Sequence, residues 1–216
     1  MLREFYTENY RNLMLKKKLI LEKNNFFLGI CASGKTNLCQ AITDITRSIY
    51  KINFFSEEPI YFYYKFVVCQ NIVEYEYKRM KDGRVFQVSV RCDSLGMEYN
   101  SEEIMDSPIM FIHKVITVLK ESKKEYEVQL LTDLLIEINS IKILDTPLKF
   151  DYNAFLDLSG QVIFTTRRVK NLEKYCKDIH CCYYIEKGNI EQVLTFFQKD
   201  IRDMNVLCKL LDKLAP

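Results

Sequence analysis

A short apolar segment runs directly into a glycine-rich turn near the start of the chain. Residues 26–28 (Phe-Phe-Leu) are followed by the spacing G-x-x-x-x-G-K-T, which extends from Gly29 to Thr36. Glycines at such positions let the backbone curl so that successive N–H groups point inward at phosphate oxygens. Lys35 would reach the outer phosphates, and the Thr36 hydroxyl would bind Mg²⁺. The pattern predicts a strand over residues 26–30, a phosphate-binding loop and a helix, in that order.

The predicted nucleotide contacts form one continuous segment. A helix expected over residues 35–49 would direct its positive N-terminal end at the phosphates. The alternative is an accidental Gly-Lys-Thr turn, and the flanking strand and helix argue against it. The expected nucleotide-binding residues are Gly29, Ile30, Cys31, Ala32, Ser33, Gly34, Lys35, Thr36 and Asn37.

Size and composition limit the class of protein. A chain of 216 residues with 48% hydrophobic residues suits one domain, and a net charge of +2 gives no strong field for nucleic acid or membrane surfaces. Eight cysteines without a secretory signal indicate reduced thiols, so we expect a cytoplasmic protein. The group Cys176, His180, Cys181 and Cys182 lacks the paired spacing of zinc sites and is interpreted as buried thiols.

Residue alternation predicts the elements of the first two thirds of the chain. Two short strands, 2–8 and 18–22, flank a turn at residues 11–12. Further strands are predicted at 60–69, 72–79 and 84–90, the last two forming a hairpin. A helical region follows over 102–121, which Pro108 would end or kink, and a second helix over 125–138.

The last third alternates strands with helices. Strands are predicted at 141–144, 161–165 and 182–186, and helices at 153–158, 169–175 and 191–214. This order predicts an α/β fold with a largely parallel sheet flanked by helices on both faces. We expect a single domain, 1–216, with an antiparallel β-subdomain at about 55–92 and a helical subdomain at about 100–140.

A second chemical position follows the strand at 141–144. Asp145 closes this apolar strand and precedes Thr146 and Pro147, which break the chain. An aspartate here would hold Mg²⁺ through water, and we expect it beside Thr36 at the carboxyl ends of adjacent strands. The alternative is an ordinary helix-cap or turn aspartate. Gln70 is a further candidate contact to Mg²⁺ or its water.

The order of these pieces resembles the ABC-type ATPase head domains of the RecF/SMC/OLD group, small AAA ATPases found in phage-defence and abortive-infection systems. The resemblance covers the opening strand and turn, the P-loop and its helix, the β-subdomain, the Mg²⁺ strand and the strand after it. The matching segments are 2–13, 29–42, 73–77, 143–147 and 161–167. The resemblance implies ATP and Mg²⁺ as ligands and ATP-dependent pairing of two head domains.

Several positions depart from the pattern of that group. Thr146 stands where the resemblance places the catalytic glutamate, and Arg167 where it places the switch histidine. A threonine cannot polarise the attacking water as a carboxylate does. Arg167 could stabilise bound ATP, act as a catalytic arginine, or be an ordinary surface residue. The signature motif lacks its glycines, and Ser122 is the one candidate for a contact across the dimer.

These features predict an ATP-binding subunit with slow or no hydrolysis, a slow ATPase or pseudo-ATPase. It would act as a homodimer, or as a heterodimer with another ATPase or an effector subunit. Nucleic acid would be reached only through such a complex, and no membrane contact is expected. The alternatives are a small P-loop kinase of a nucleoside or metabolite, and a scaffold that kept the fold and lost the nucleotide.

Overall fold

The computed structural model describes residues 1–28, 34–49, 58–145, 162–166, 181–186 and 189–194. Eleven strands lie in these ranges: β1 (Leu2–Glu8), β2 (Leu19–Ile20), β3 (Asn24–Leu28), β4 (Ile60–Val68), β5 (Asn71–Arg79), β6 (Val85–Cys92), β7 (Met97–Ser101), β8 (Lys142–Asp145), β9 (Val162–Thr166), β10 (Cys181–Glu186) and β11 (Asn189–Leu194). The helices described are α1 (Lys35–Ile42), α2 (Pro108–Glu121) and α3 (Glu125–Ser140), with 3-10 turns at Thr43–Thr46 and Asp93–Leu95.

The larger sheet is antiparallel and has six strands in the order β2-β1-β4-β5-β6-β7. Alternation of residue type along each strand gives it one strongly aromatic buried face, on which the rings of Phe62 and Tyr77 stack with centroids 4.9 Å apart. The fully buried aromatic residues of this face are Phe5, Phe62, Tyr64, Phe66, Tyr75 and Tyr77. These side chains form the centre of the hydrophobic core.

Helices cover that aromatic face and are tied to it by tyrosine hydroxyls. Tyr64 Oη donates to the carbonyl oxygen of Ala41 in α1 at 3.0 Å. Tyr75 Oη donates to the carbonyl oxygen of Pro108 at the start of α2 at 2.6 Å. Buried leucines of α3, including Leu131 and Leu134, belong to the same core. The hydroxyls of Tyr64 and Tyr75 therefore each have a backbone partner, and each bond fixes a helix on the sheet.

The second sheet has five strands in the order β11-β10-β3-β9-β8. Three of its pairings are parallel, β10 with β3, β3 with β9 and β9 with β8, whereas β11 is antiparallel to β10. The prediction of a largely parallel sheet applies to this smaller sheet alone, because the larger sheet is antiparallel. That sheet is also not confined to residues 55–92, since β1 and β2 from the start of the chain and β7 belong to it.

Several element boundaries differ from the predictions. The helix predicted over 35–49 ends at Ile42, where the chain tightens into the 3-10 turn Thr43–Thr46. Pro108 neither ends nor kinks a helix but occupies the first turn of α2, which begins after an extended Ser107. Residues 191–194 are strand and not helix, because they pair with β10. The helices predicted at 153–158 and 169–175 lie outside the described residues.

Candidate functional site

The predicted phosphate loop connects the central strand of the parallel sheet to α1. β3 ends at Leu28 and α1 begins at Lys35, so residues 29–34 of the G-x-x-x-x-G-K-T segment lie between them and its last two residues begin the helix. Gly34 caps the helix with φ 104° and ψ 2°, a left-handed conformation that side-chain-bearing residues seldom adopt. Its carbonyl oxygen accepts the amide of Leu38 at 2.9 Å. Residues 29–33 lie outside the described residues, and their phosphate contacts stay predictions.

The first turn of α1 presents the side chains expected at a nucleotide site. Lys35 and Asn37 are half-buried, whereas Thr36 is exposed. The first turn contains no acidic residue. The leading N–H groups of any helix have no partner within the helix, and they carry the positive end of its dipole. This end of α1 is therefore chemically suited to an anion, with a hydroxyl available for a cation beside it.

Arg11 supports this turn and was not singled out by the sequence reasoning. Its backbone has φ 54°, and its Nη1 donates to Asn37 Oδ1 and to Gln40 Oε1, each at 2.7 Å. Asn37 Nδ2 in turn donates to Asn12 Oδ1 at 2.7 Å. The Asn37 side chain is thus occupied by the 11–12 turn, which leaves its backbone N–H as the group for a phosphate. The predicted turn at residues 11–12 was the available signal.

Asp145 lies at the carboxyl edge of the same sheet, but not on a strand adjacent to β3. Its Cα pairs with that of Thr165 in β9, and Thr165 pairs with Phe27 in β3. With strands about 4.8 Å apart, Asp145 is about 10 Å from Phe27. The prediction of adjacent strands is therefore wrong, because β9 lies between them. Thr146 follows β8 directly and lies outside the described residues.

β9 itself ends at this edge, level with the last residue of β3. Thr166 pairs with Leu28, so the three strands β3, β9 and β8 deliver their carboxyl ends together. Ligands of open α/β sheets bind at such an edge. Arg167 comes next in the sequence and lies outside the described residues.

Gln70 and Ser122 both lie in tight turns. Gln70 and Cys69 form the two-residue turn between β4 and β5, with φ 67° and 46°, and both residues are exposed. The turn contacts α3, where Cys69 Sγ donates to Asp133 Oδ2 at 3.3 Å. Ser122 ends α2, is exposed, and donates through Oγ to the Val118 carbonyl oxygen at 3.0 Å. Their roles toward Mg²⁺ and a dimer partner stay predictions.

Cysteine chemistry and metal sites can be assessed only where side chains are described. There, Cys39 and Cys92 are buried thiols and Cys69 is an exposed one. Within the same residues, no three His, Cys, Asp or Glu side chains group as metal ligands. Cys176 and His180 lie outside the described residues, and β10 contains Cys181 and Cys182. Among the helices that the structure describes, none is long and apolar enough to cross a bilayer.

Comparison with known proteins identifies the fold. No protein-family model and no curated protein matches the chain. Among solved structures, the recombination mediator protein RecF-ATP of the RecFOR pathway aligns with a TM-score of 0.54 at 14% identity, covering 89% of this chain and 97% of that one. RecF-ATPrS of the same pathway gives 0.52 at 12% identity, covering 90% and 98%. The SMC head domain from Thermotoga maritima gives 0.48 at 14% identity, covering 90% and 99%. The two RecF structures show that the chain has a RecF-like α/β fold.

Proposed function

We propose that this chain is an ATP-binding, ABC-type ATPase-like subunit that hydrolyses ATP slowly or not at all. The observation that carries the proposal is the junction of β3, Gly34 and α1. A G-x-x-x-x-G-K-T segment there joins the middle strand of a parallel sheet to a helix whose first turn has no acidic residue. The RecF-like fold supports it, because one of the similar structures is that of RecF-ATP.

ATP would bind with its phosphates between the carboxyl edge of β3 and the first turn of α1. Gly29 through Gly34 would supply backbone N–H groups, and Lys35 would neutralise the outer phosphates. Mg²⁺ would be held by the exposed Thr36 hydroxyl and, through water, by Asp145. A strand separation of about 10 Å between β8 and β3 suits a water-mediated contact better than a direct one. Arg11 would keep the first turn in place.

Slow hydrolysis follows from the residues that replace a carboxylate and an imidazole. Thr146 succeeds Asp145 and cannot act as a general base, and Arg167 succeeds β9 with a permanent positive charge. A guanidinium near the outer phosphate would hold ATP without activating water. Bound ATP would then act as a long-lived ligand and not as a rapidly hydrolysed substrate.

A long-lived ligand is useful where it gates assembly. We propose that ATP promotes pairing of two such domains, as a homodimer or with a second ATPase or effector subunit, with Ser122 contacting the ligand of the partner. We propose that such a pair acts in a phage-defence or DNA-related complex. The kinase alternative is weaker, because β1 and β2 precede the phosphate loop and belong to the antiparallel sheet.

Calorimetry, phosphate release and mass measurement test this function together. ATP–Mg²⁺ would be titrated into wild type, Lys35→Ala and the control Lys120→Ala, which removes an exposed lysine of α2. Phosphate release and the solution mass would be followed in the same samples. We expect binding and a mass increase in wild type and control, loss of both in Lys35→Ala, and little phosphate release.

Two results would contradict the proposal in different ways. Absence of binding in wild type would favour a scaffold that does not use nucleotide. Turnover on the order of 10 per second, lost in Lys35→Ala, would instead favour a true ATPase or a kinase. Transfer of the terminal phosphate to an added nucleoside would select the kinase.

A further inference from the structure

The C-terminal end of α1 is held by side chains from the antiparallel sheet. Tyr64 Oη of β4 donates to the Ala41 carbonyl oxygen at 3.0 Å, and Tyr64 Oη lies 3.2 Å from Tyr77 Oη of β5. Tyr77 Oη donates to Asp44 Oδ2 at 2.8 Å. The carbonyl groups at a helix end have no partner within the helix, and the Tyr64 hydroxyl satisfies that of Ala41 in the core.

Arg79 completes this arrangement from the last position of β5. Its Nε donates to Asp44 Oδ2 at 2.8 Å, and its Nη2 lies 2.7 Å from the same oxygen. Nη1 donates to the Gly83 carbonyl oxygen at 2.5 Å, and Nη2 also donates to the carbonyl oxygens of Asp44 and Arg47 at 3.4 and 3.3 Å. The side chains of Arg79 and Asp44 are both 0% exposed. We call Asp44, Tyr64, Tyr77 and Arg79 the anchor cluster.

A buried ion pair is a costly way to hold a helix. Removing both charges from water offsets much of their attraction, and well-packed apolar residues would stabilise the same contact as well or better. What the pair adds is geometry, because a guanidinium fork and a carboxylate bond in few orientations. Asp44 lies two residues beyond α1, and Arg79 lies on a strand fixed at the centre of the six-stranded sheet.

The position of α1 is therefore set not only by Arg11 at the first turn but also from the end that lies opposite the phosphate loop. A helix of eight residues is about 12 Å long and behaves as a rigid rod. A shift or tilt at Asp44 would displace Lys35 and Thr36 by a similar amount. Binding geometry tolerates little such displacement, because the groups around a ligand must be placed before it arrives.

We propose that Asp44 and Arg79 are positioning residues for the nucleotide, which set the affinity of the phosphate loop through α1. The inference rests on the proposed function. Because coupling between two sites is reciprocal, ATP binding would in turn tighten the anchor cluster against β5. The antiparallel sheet would then respond to nucleotide through one buried charge pair.

ATP affinity in a set of matched variants tests the inference. Asp44→Asn keeps the shape and removes the charge, and Arg79→Lys keeps the charge and removes the fork. Asp44→Leu with Arg79→Met replaces the whole pair by apolar side chains. Val88→Ala is the control, since Val88 is 1% exposed in β6 of the same sheet. Affinities would be measured well below the melting temperature of every variant, together with hydrogen exchange of amides 35–42.

We expect each of the three anchor variants to bind ATP about tenfold more weakly, an ordinary size for coupling between two sites. Val88→Ala would lose thermal stability and keep the wild-type affinity. The double variant discriminates best between positioning and stability, because its melting temperature should return toward the wild-type value while its ATP affinity stays low. The amides of α1 should exchange faster in the anchor variants than in the control.

The inference and the proposed function fail in separable ways. Wild-type affinity in Asp44→Asn, with only a lowered melting temperature, would overturn the positioning role and leave the proposed function intact. The same holds if the double variant recovers affinity and stability together. If the double variant does not fold, Asp44→Asn and Arg79→Lys decide the question. No ATP binding by wild type would overturn the proposed function, and this inference with it.

Discussion

The two ends of α1 are built in opposite ways. At its N-terminal end, Thr36 is exposed, and Lys35 and Asn37 are half-buried beside the turn that contains Arg11. At its C-terminal end, Ile42 and Asp44 are fully buried. The first end is open to a ligand, whereas the second is fixed to a rigid sheet.

This contrast teaches how a short helix can serve as a binding element. Eight residues are too few for a helix that is stable alone, so its order must come from packing. Leu38, Cys39, Ala41 and Ile42 of α1 are buried, and the four side chains of the anchor cluster meet at the end away from the phosphate loop. The open end can then keep its polar groups unshielded without the helix losing its position.

Removing the cation of the buried end should have the largest effect. In Arg79→Ala, Asp44 would stay in the core without its charged partner, which costs about 3–5 kcal/mol of unfolding free energy. Urea unfolding measures the loss. The control is Arg84→Ala, since Arg84 pairs with Asp82 at the surface and both are nearly half exposed. If Arg79→Ala lost no more unfolding free energy than the control, the Asp44–Arg79 pair would not be what fixes this end of α1.

At the open end, the Thr36 hydroxyl should matter for Mg²⁺ and not for stability. Thr36→Val removes one oxygen from an exposed position, so the melting temperature should not change. Mg²⁺-supported ATP affinity should fall by at least about tenfold, the usual cost of disturbing a metal site. Thr117→Val, at an exposed threonine of α2, is the matched control. If the ATP affinity of the two variants depended equally on Mg²⁺, Thr36 would not be a Mg²⁺ ligand.

Alkaline pH should act on the buried end through Tyr77. Burial, and then the charge of Asp44, raise the pKa of Tyr77 well above its ordinary value of 10.0. Folded Tyr77 thus stays protonated while the unfolded tyrosine ionises. The contribution of Tyr77 to the unfolding free energy is therefore complete below pH 10 and falls by about 1.4 kcal/mol for each pH unit above it. Urea unfolding of wild type and Tyr77→Phe would be followed across roughly pH 9 to 11. The unfolding free energy should fall less steeply with pH in the variant, and equal slopes would contradict this role of Tyr77.

At neutral pH the same substitution should have the smallest effect. Tyr77→Phe removes one hydrogen bond to Asp44, which keeps both bonds from Arg79, so the expected loss is about 1 kcal/mol. Thermal unfolding checks it against Tyr126→Phe, whose tyrosine is 59% exposed on α3. A loss in Tyr77→Phe as large as in Arg79→Ala would mean that Tyr77, and not the ion pair, holds this end.

The sequence predicts the strongly patterned elements well. β1, β4 and β5 lie within one residue of their predicted bounds, because aromatic and β-branched residues are concentrated in these runs of seven to nine residues. β7 was missed, since it lies at the sheet edge and buries only Met97. Pro108 was misinterpreted, although a serine before a proline is typical of a helix start.

The site is less predictable, because it depends on the order of strands. Nothing in the local pattern around Asp145 reveals that β9 lies between β8 and β3. The ion pair of Asp44 and Arg79 joins residues 35 positions apart and depends on the register of β5. The sequence does indicate that Arg79 is buried, since Val73, Tyr75 and Tyr77 predict an inward face of β5 and Arg79 is the next residue on that face. An arginine on such a face must find a partner in the core.

Hydrogen exchange of α1 with and without ATP–Mg²⁺ tests the central claim most directly. The amides of residues 35–37 belong to the open end, and those of residues 44–47 to the anchored end. We predict that ATP–Mg²⁺ slows amide exchange in wild type, and more strongly at residues 35–37 than at residues 44–47. In Lys35→Ala, ATP–Mg²⁺ should leave amide exchange unchanged. Unchanged exchange in wild type, or protection confined to another part of the chain, would contradict nucleotide binding at this loop.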